Sequence, residues 1–371
     1  MISSRKFGTF EGVFTPTILT ILGAIMYLRL GWVVGNAGFG GALIIILLAK
    51  LVTITTGLAI ASMSSNIRIG AGGSYAIISR SLGLEIGGSI GIPLFLSQAL
   101  SGAMYVIGFS EAWLAIFPSH TEIKIIIGVL LFLILITLTS AKFAMKFQFI
   151  IMVLISASLV SFFMGNNIQM GNISFWGEFD SAPFWTVFAI FFPAVTGIEA
   201  GAAMSGDLKN PSRSLSIGIL GAITISFLVY VLLAFWMDRT ISSDLLRNNY
   251  LIMLDTSRWR PIVAGAILGA TFSSALGSLM GGPRTLMALA QHKVIPFGKI
   301  LGYQSENGEP RLAIVFTGFI IAVGALFGNL NTIAPLLTMF FLITYGTINL
   351  AVFIEKRIGI PSYRPTFKIP I

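Results

Sequence analysis

The sequence has no cysteine, two histidines (His120 and His292) and few charges among its 371 residues. These shortages exclude disulfides, zinc sites and Cys/His catalytic pairs together. Charged residues make up 10% and hydrophobic residues 56%, whereas soluble domains average about 25% charged, so water is not the main solvent of this chain. The formal net charge of +9 does not call for nucleic acid, because the basic residues lie in short loops between apolar runs, where membrane topology accounts for them. No nucleophile paired with a base and no metal-ligating cluster is apparent, so an enzyme is not expected. The apolar run after Phe7 to Thr15 is too long for a signal-peptide core and lacks a small-residue cleavage site, so the first helix is expected to remain as a signal anchor.

What is present is apolar sequence in bulk. Runs of roughly 20 residues, enough to cross a bilayer core as helix, recur along the whole length and leave no room for a separate soluble domain. Ten spans are expected: Pro16 to Val34, Gly41 to Met63, Gly87 to Trp113, Ile123 to Ser140, Phe147 to Met164, Phe184 to Met204, Ser216 to Met237, Pro261 to Leu279, Leu312 to Gly328 and Ala334 to Ile354. With the N-terminus inside, most Lys and Arg fall on one side, among them Arg5, Lys142, Lys146, Lys209, Arg213, Lys293, Lys299, Lys356 and Arg357. The positive-inside rule then places both ends in the cytoplasm and the chain in the plasma (inner) membrane. The expected unit is a single transmembrane domain over residues 1–371, and its last stretch, "PSYRPTFKIPI", leads toward what reads as another apolar segment. The sequence is therefore expected to be a piece of a longer protein.

The first and sixth spans share an interruption. Each carries a Pro, Pro16 or Pro193, and a Gly near its middle, Gly23 or Gly197, and both residue types weaken a helix, Pro by removing a donor and Gly through entropy. Kinks and close contacts are the ordinary use of such residues in membrane helices. Interruptions at matching places five spans apart instead point to an inverted-repeat transporter, with repeats at about 15–164 and 184–354 and the substrate site where the broken helices meet. Unwound backbone at mid-membrane needs partners, and ions or substrate supply them. A channel would need a continuous pore with a filter rather than one occluded midplane site. In the eighth span, Gly265, Gly269, Ser273, Gly277 and Gly281 form a small-residue stripe that lets a neighbouring helix approach. Ser273 and Ser274 are adjacent hydroxyls about 100° apart on that helix. They suit a hard cation together with carbonyl oxygens, although such serines also bond their own backbone.

Ionisable residues inside spans are few, and each is a functional candidate: Arg29, Glu111, Lys50 and Glu199. Lys50 reads equally well as a structural residue facing a polar interior. The "GAGGS" at Gly70 to Ser74 follows no strand, so a phosphate cradle is not expected. "NIS" at Asn172 is an outside sequon that matters only in a eukaryotic secretory pathway.

The stretches "FGTFEGVFTPTILTILGAIMYLRLGWVVGNAG", "GAGGSYAIISRSLG", "SGAMYVIGFSEAW", "FAIFFPAVTGIEAGAAMSGDLKNPSRS" and "ATFSSALGSLMGGPRTLMAL" together resemble the cation-chloride cotransporter family of the amino acid-polyamine-organocation superfamily. The resemblance runs from about Phe7 to Arg364. It implies an all-α membrane protein with the LeuT-type fold of five plus five inverted helices, broken in the first and sixth, and it implies that the family's two further helices and cytoplasmic domain are absent here. It also implies a sodium site on the carbonyls of Leu19, Leu22 and Ala270 with the hydroxyls of Ser273 and Ser274. A potassium or substrate site would fall on Thr20, Ile21, Tyr105, Pro193 and Thr196, with Thr20 standing where the family usually has Asn. One chloride would lie on the amides of Gly23, Ala24 and Ile25, and another on those of Gly197 and Ile198 with Tyr345; amides at half-helix N-termini suit anions. Arg29 and Glu111 match the family's outer gate. Glu199 departs from the pattern: chloride cotransporters usually carry an apolar residue there, and "TGIE" is closer to amino acid transporters of the same superfamily. The expected function is sodium-coupled cation/chloride cotransport, with a sodium- or proton-coupled amino acid or polyamine symporter as the alternative, in which Glu199 is a coupling or substrate carboxylate. Membrane lipid and small ions or small-molecule substrate are the expected partners, with no nucleic acid, no cofactor beyond the transported Na+, K+ and Cl-, and a homodimer left open.

Overall fold

The computed structural model describes residues 7–66, 72–139, 141–165, 173–203, 208–305, 309–358 and 364–367. Asn172 lies outside them, as do Arg5, the first two residues of the "GAGGS" stretch and the side chains of Lys142 and Lys146. The described residues are helical throughout, apart from connections and a single parallel bridge between Phe7 and Leu208. A π-helical turn, Phe10–Phe14, leads into α1 (Thr15–Ile21), then α2 (Ala24–Leu28), α3 (Leu30–Asn66), α4 (Ser74–Ile116), α5 (Glu122–Thr139) and α6 (Ala141–Phe163). The second half holds α7 (Phe184–Phe191), a 3-10 turn Phe192–Val195, α8 (Ile198–Ala203), α9 (Pro211–Thr240), α10 (Ser243–Asn248), α11 (Ile252–Thr256), α12 (Arg260–Gln291), α13 (Gly298–Leu301), α14 (Arg311–Phe327) and α15 (Leu330–Ile358). Each of the ten expected spans falls on helix over most of its described residues, with the first interrupted at Leu22–Gly23 and the sixth at Thr196–Gly197. Among the described residues, seven helical segments are long and apolar enough to cross a membrane, with the shorter apolar helices Phe147–Phe163 and Arg311–Phe327 beside them.

Two reversals hide inside long helices. Gly38 (φ 67°, ψ 176°) separates the C-terminal end of the first span from the second within α3, and Gly83 (φ 88°, ψ 167°) makes a like break within α4. Left-handed φ is open to Gly at little steric cost. At Gly83 the chain folds back: a Cβ on Gly87 would lie 2.6 Å from Ser79 Cα, and one on Gly91 2.6 Å from Tyr75 Cδ2. The expected third span, starting at Gly87, is therefore preceded by a helical segment that returns into the bundle.

The first-span break falls at Gly23, the glycine expected to interrupt it, and not at Pro16. Pro16 lies inside a continuous helical run, directly after the π-helical turn Phe10–Phe14, and does not stop it; the helix stops at Leu22 (φ −84°, ψ 37°) and Gly23 (φ −97°, ψ −143°). Pro193 does sit at its break, in the 3-10 turn before Gly197. Four tyrosines are fully buried in the core, and each hydroxyl is bonded: Tyr27 with Ser158 Oγ (2.6 Å), Tyr75 with His292 Nδ1 (2.7 Å), Tyr230 to Ile21 O (2.7 Å) and Tyr345 to Thr196 O (2.9 Å). Buried phenols need such partners. Two of them serve the broken helices. Leu131, Leu135, Val153 and Phe319 are exposed on the outside of the bundle, a face suited to lipid.

Candidate transport site

The two breaks touch. A Cβ on Gly197 would lie 2.9 Å from Ile21 Cγ1, 2.9 Å from Thr20 Cβ and 3.0 Å from Ile21 N, so only hydrogen lets α8 approach α1 this closely. Where a helix stops, the carbonyls of its last turn lose their amide partners. Ile18 O is taken by Leu22 N (2.8 Å) and Ile21 O by Tyr230. The oxygens of Leu19 and Thr20 turn toward Gly23 and α12: a Cβ on Gly23 would meet Thr20 O at 2.8 Å, Ser274 Oγ at 3.0 Å and Leu19 O at 3.3 Å. Three oxygens gather on one side of Gly23. Ser274 is 1% exposed, and its hydroxyl is buried with no hydrogen-bond partner. Among the described residues Thr15, Thr17 and Ser81 share that condition, but Ser274 alone of the four lines the central cavity.

That cavity holds about 40 Å³, room for a few water-sized species. Its polar lining is Thr20, Gln98, Ser101, Tyr105, Thr196, Glu199, Ser274 and Ser278, with Gly197, Gly277 and Phe341 among the apolar part. Glu199 is 6% exposed, and both its oxygens accept from Ser74 Oγ, at 2.9 and 2.8 Å. The lining described here contains no Lys, Arg or His. It is a site of hydroxyls, an amide and one carboxylate, which favours a cation.

Of the residues expected at the potassium or substrate site, Thr20, Tyr105 and Thr196 line this cavity and Ile21 and Pro193 do not. The Thr20 and Thr196 hydroxyls donate to their own helices, to Pro16 O (2.8 Å) and Pro193 O (2.9 Å). Of the sodium set, Leu19 and Ser274 meet, and Thr20 O joins them; Leu22, Ala270 and Ser273 are buried nearby in sequence but outside the cavity wall. Of the chloride sets, Gly23, Ala24, Ile25 and Ile198 are off the cavity, and Tyr345 has its hydroxyl committed to Thr196 O. The small-residue stripe has two uses: Gly269 packs on Ile151, at 3.3 Å from a would-be Cβ, whereas Gly277 faces open space in the cavity.

At the opposite end from Ser74, Arg29 and Glu111 pair at 3.1 Å, with side chains 3% and 28% exposed. Arg29 also donates through Nε to Asn331 Oδ1 (2.8 Å) and lies 3.8 Å over the ring of Tyr250, whose hydroxyl accepts from Asn331 Nδ2 (3.1 Å). The guanidinium thus ties the α2–α3 junction to α4, to α15 and to the α10–α11 connection. Removing the partner of a buried charge costs about 3–5 kcal/mol, and less here because Glu111 is partly solvated. We expect Glu111→Gln to loosen this end. The chain has no cysteine, so Ser101→Cys provides a clean reporter in the cavity, and its labelling by a thiol reagent added on the Arg29 side should rise several-fold.

Lys50 is away from the cavity: its Nζ donates to Ser226 Oγ (2.7 Å) between α3 and α9 and lies 5.6 Å from the Tyr230 ring. It sits behind the phenol that satisfies Ile21 O. Tyr230→Phe, which leaves that carbonyl unpaired, is expected to cost about 1–3 kcal/mol, read as a lower thermal midpoint with the fold retained.

A family model described as Amino acid permease matches residues 12–370. The chain belongs to the amino acid permease family. Among its curated relatives, solute carrier family 12 member 2 of Mus musculus is 33% identical over 98% of this chain and 35% of its own length, and member 8 of Homo sapiens is 34% identical over 94% of this chain and 51% of its own. The chain therefore spans about a third to a half of the length of these relatives. They agree with the resemblance to cation-chloride cotransporters carried by the motifs. The permease is similar in fold to Mhp1, a nucleobase-cation-symport-1 family transporter solved in a closed conformation with bromovinylhydantoin bound, at a TM-score of 0.55 and 16% identity, covering 98% of this chain and 82% of that one. The fold is of the LeuT type, and the family is one of transporters, not enzymes. Ser74, Gln98, Ser101 and Ser278 were not among the expected site residues. Gln98, Ser101 and Tyr105 recur at helical spacing on α4 and Ser274 and Ser278 on α12, a polar stripe legible in sequence.

Proposed function

We propose that this permease is a sodium-coupled secondary transporter of cation-chloride cotransporter type, working by alternating access about its two broken helices. The observation that carries the reading is the Ser274 hydroxyl: buried, without a hydrogen-bond partner, and gathered with the carbonyl oxygens of Leu19 and Thr20 around Gly23. An oxygen-only group of this kind is the shell a hard cation prefers, and an unpaired buried hydroxyl is otherwise a cost. The cavity beside it takes a second monovalent cation, supported by its hydroxyls and the Glu199 carboxylate. The two repeats, at about 15–164 and 184–354, carry one break each, and the permease works in the plasma membrane with both ends cytoplasmic.

Glu199 favours a second reading, in which the cargo is a small amine. A zwitterionic amino acid fits less well, since the described lining offers its carboxylate no cationic side chain. Glu199 also bears on chloride. Its carboxylate follows directly on Gly197 and Ile198, so it stands as a fixed anion where the chloride on those two amides would bind, and two like charges about 4 Å apart repel by roughly 4 kcal/mol at an effective dielectric of 20. A liposome flux panel tests these readings: sodium-stimulated rubidium or chloride uptake supports cotransport, sodium-driven methylammonium uptake supports the amine reading, and an ungated conductance refutes both.

A further inference from the structure

The cavity's one carboxylate is held from behind the cavity wall. Ser74 is outside the lining, opens α4, and donates to both oxygens of Glu199. The segment that delivers it has a specific shape. Gly72 (φ 103°) and Gly73 (φ 52°, ψ −123°) bend the backbone into a region that favours glycine. A Cβ on Gly73 would sit 3.4 Å from Ala203 Cα and 3.5 Å from Ala203 N, so this turn lies flat against the last turn of α8. The next residue, Tyr75, reaches away to His292 Nδ1 at the end of α12. Residues 72–75 are therefore fastened on one side to α12 through a phenol and on the other to α8 through Glu199. Beyond α8, a second cavity of about 20 Å³ bordered by Pro16, Gln148, Met280 and Arg284 shares Ala200, Ala203, Gly277 and Gly281 with the central one. Only small side chains divide the cargo cavity from the next space toward this end.

We propose that Glu199 is a shared carboxylate: it holds either the Ser74 hydroxyl, which keeps the 72–75 turn on α8 and this end closed, or a monovalent cation or ammonium group in the cavity. The proposal rests on the reading of the cavity as a cation site. A hydroxyl astride both oxygens fixes the carboxylate toward the turn, and a cation in the cavity draws it the other way, toward Thr20, Ser101 and Tyr105. Cargo binding then releases the turn, so occupancy and opening are linked by one free energy. Ser74 is a positioning residue in this scheme. The latch opposes cargo affinity by the same amount that it favours closure.

The test uses the full chain, purified and reconstituted, with rubidium and methylammonium as probes and Met280→Cys as the reporter facing the second cavity. With Ser74 intact, labelling of Met280→Cys from the Ser74 side should rise when a probe is added. With Ser74→Ala, labelling should be high without any probe, and the probe should bind about tenfold more tightly, or about 1.4 kcal/mol; Ser74→Thr should restore the parent's behaviour. A merely structural serine would give weaker binding or a lower thermal midpoint, not tighter binding. Should Ser74→Ala fail to fold, Glu199→Gln serves in its place, because an amide holds the hydroxyl less strongly, and it should raise cargo-free labelling. If the parent binds a probe, neither variant raises cargo-free labelling and Ser74→Ala binds the probe as the parent does, the latch is refuted and the cation reading stands. If no probe binds the parent, both are refuted.

Discussion

Ser274→Ala is expected to abolish the response of transport to sodium while leaving the sodium-free protein as stable as the parent, or slightly more so. The two signs come from one observation. An ordinary serine in a membrane helix bonds its own backbone, as Ser97 does to Leu94 O (2.7 Å) and Ser110 to Ile107 O (2.9 Å), and its loss removes a bond. Ser274 has none to lose, and an unsatisfied buried hydroxyl costs about 1–3 kcal/mol, so Ala relieves the empty site. What disappears is a ligand. Sodium at a hundred times its dissociation constant stabilises the parent by about 2.7 kcal/mol, and the variant should show no such rise in thermal midpoint. A variant whose midpoint climbs with sodium as the parent's does would place the ion elsewhere.

Glu199→Gln is expected to lower cation uptake by at least tenfold and to change how uptake depends on pH and chloride. In the parent, the carboxylate is the single charge in the described cavity lining. A proton on it removes that charge, so uptake should fall as the medium is acidified and recover as pH rises. The amide carries no charge at any pH, so the variant's low uptake should be flat from pH 5 to 9. With the fixed anion gone, the repulsion of a chloride near Gly197 and Ile198 also goes, and chloride dependence should strengthen. Uptake of Glu199→Gln that matches the parent across this range, for rubidium and methylammonium alike, would make Glu199 a structural acid without a role in transport.

The sequence announced some of this arrangement through residues that are unusual where they stand. Arg29 and Glu111 were expensive charges in lipid, which is why each pointed to a partner, and they pair. Gly197 marked its break because it follows Pro193 in an otherwise apolar span. In the first span the same argument holds for Gly23, where with Leu22 the helix ends, but not for Pro16, which the helix carries directly after a π-helical turn. Ser74 could not be found this way. It lies 125 residues from Glu199, and the hairpin at Gly83 that returns it to the bundle depends on a left-handed glycine in a sequence with 40 glycines. The small-residue stripe of α12 likewise reads as a packing seam by spacing alone; that Gly277 faces a cavity and Gly269 a neighbouring helix depends on which helices arrive.

The central claim, that a sodium ion at the first-helix break drives the movement of a second cation, is tested most directly by rubidium uptake into proteoliposomes with an inward sodium gradient, compared with an equal choline gradient. The account predicts uptake that saturates with external sodium in the parent and no difference between sodium and choline in Ser274→Ala. Rubidium uptake by the parent that is the same in choline as in sodium would contradict it.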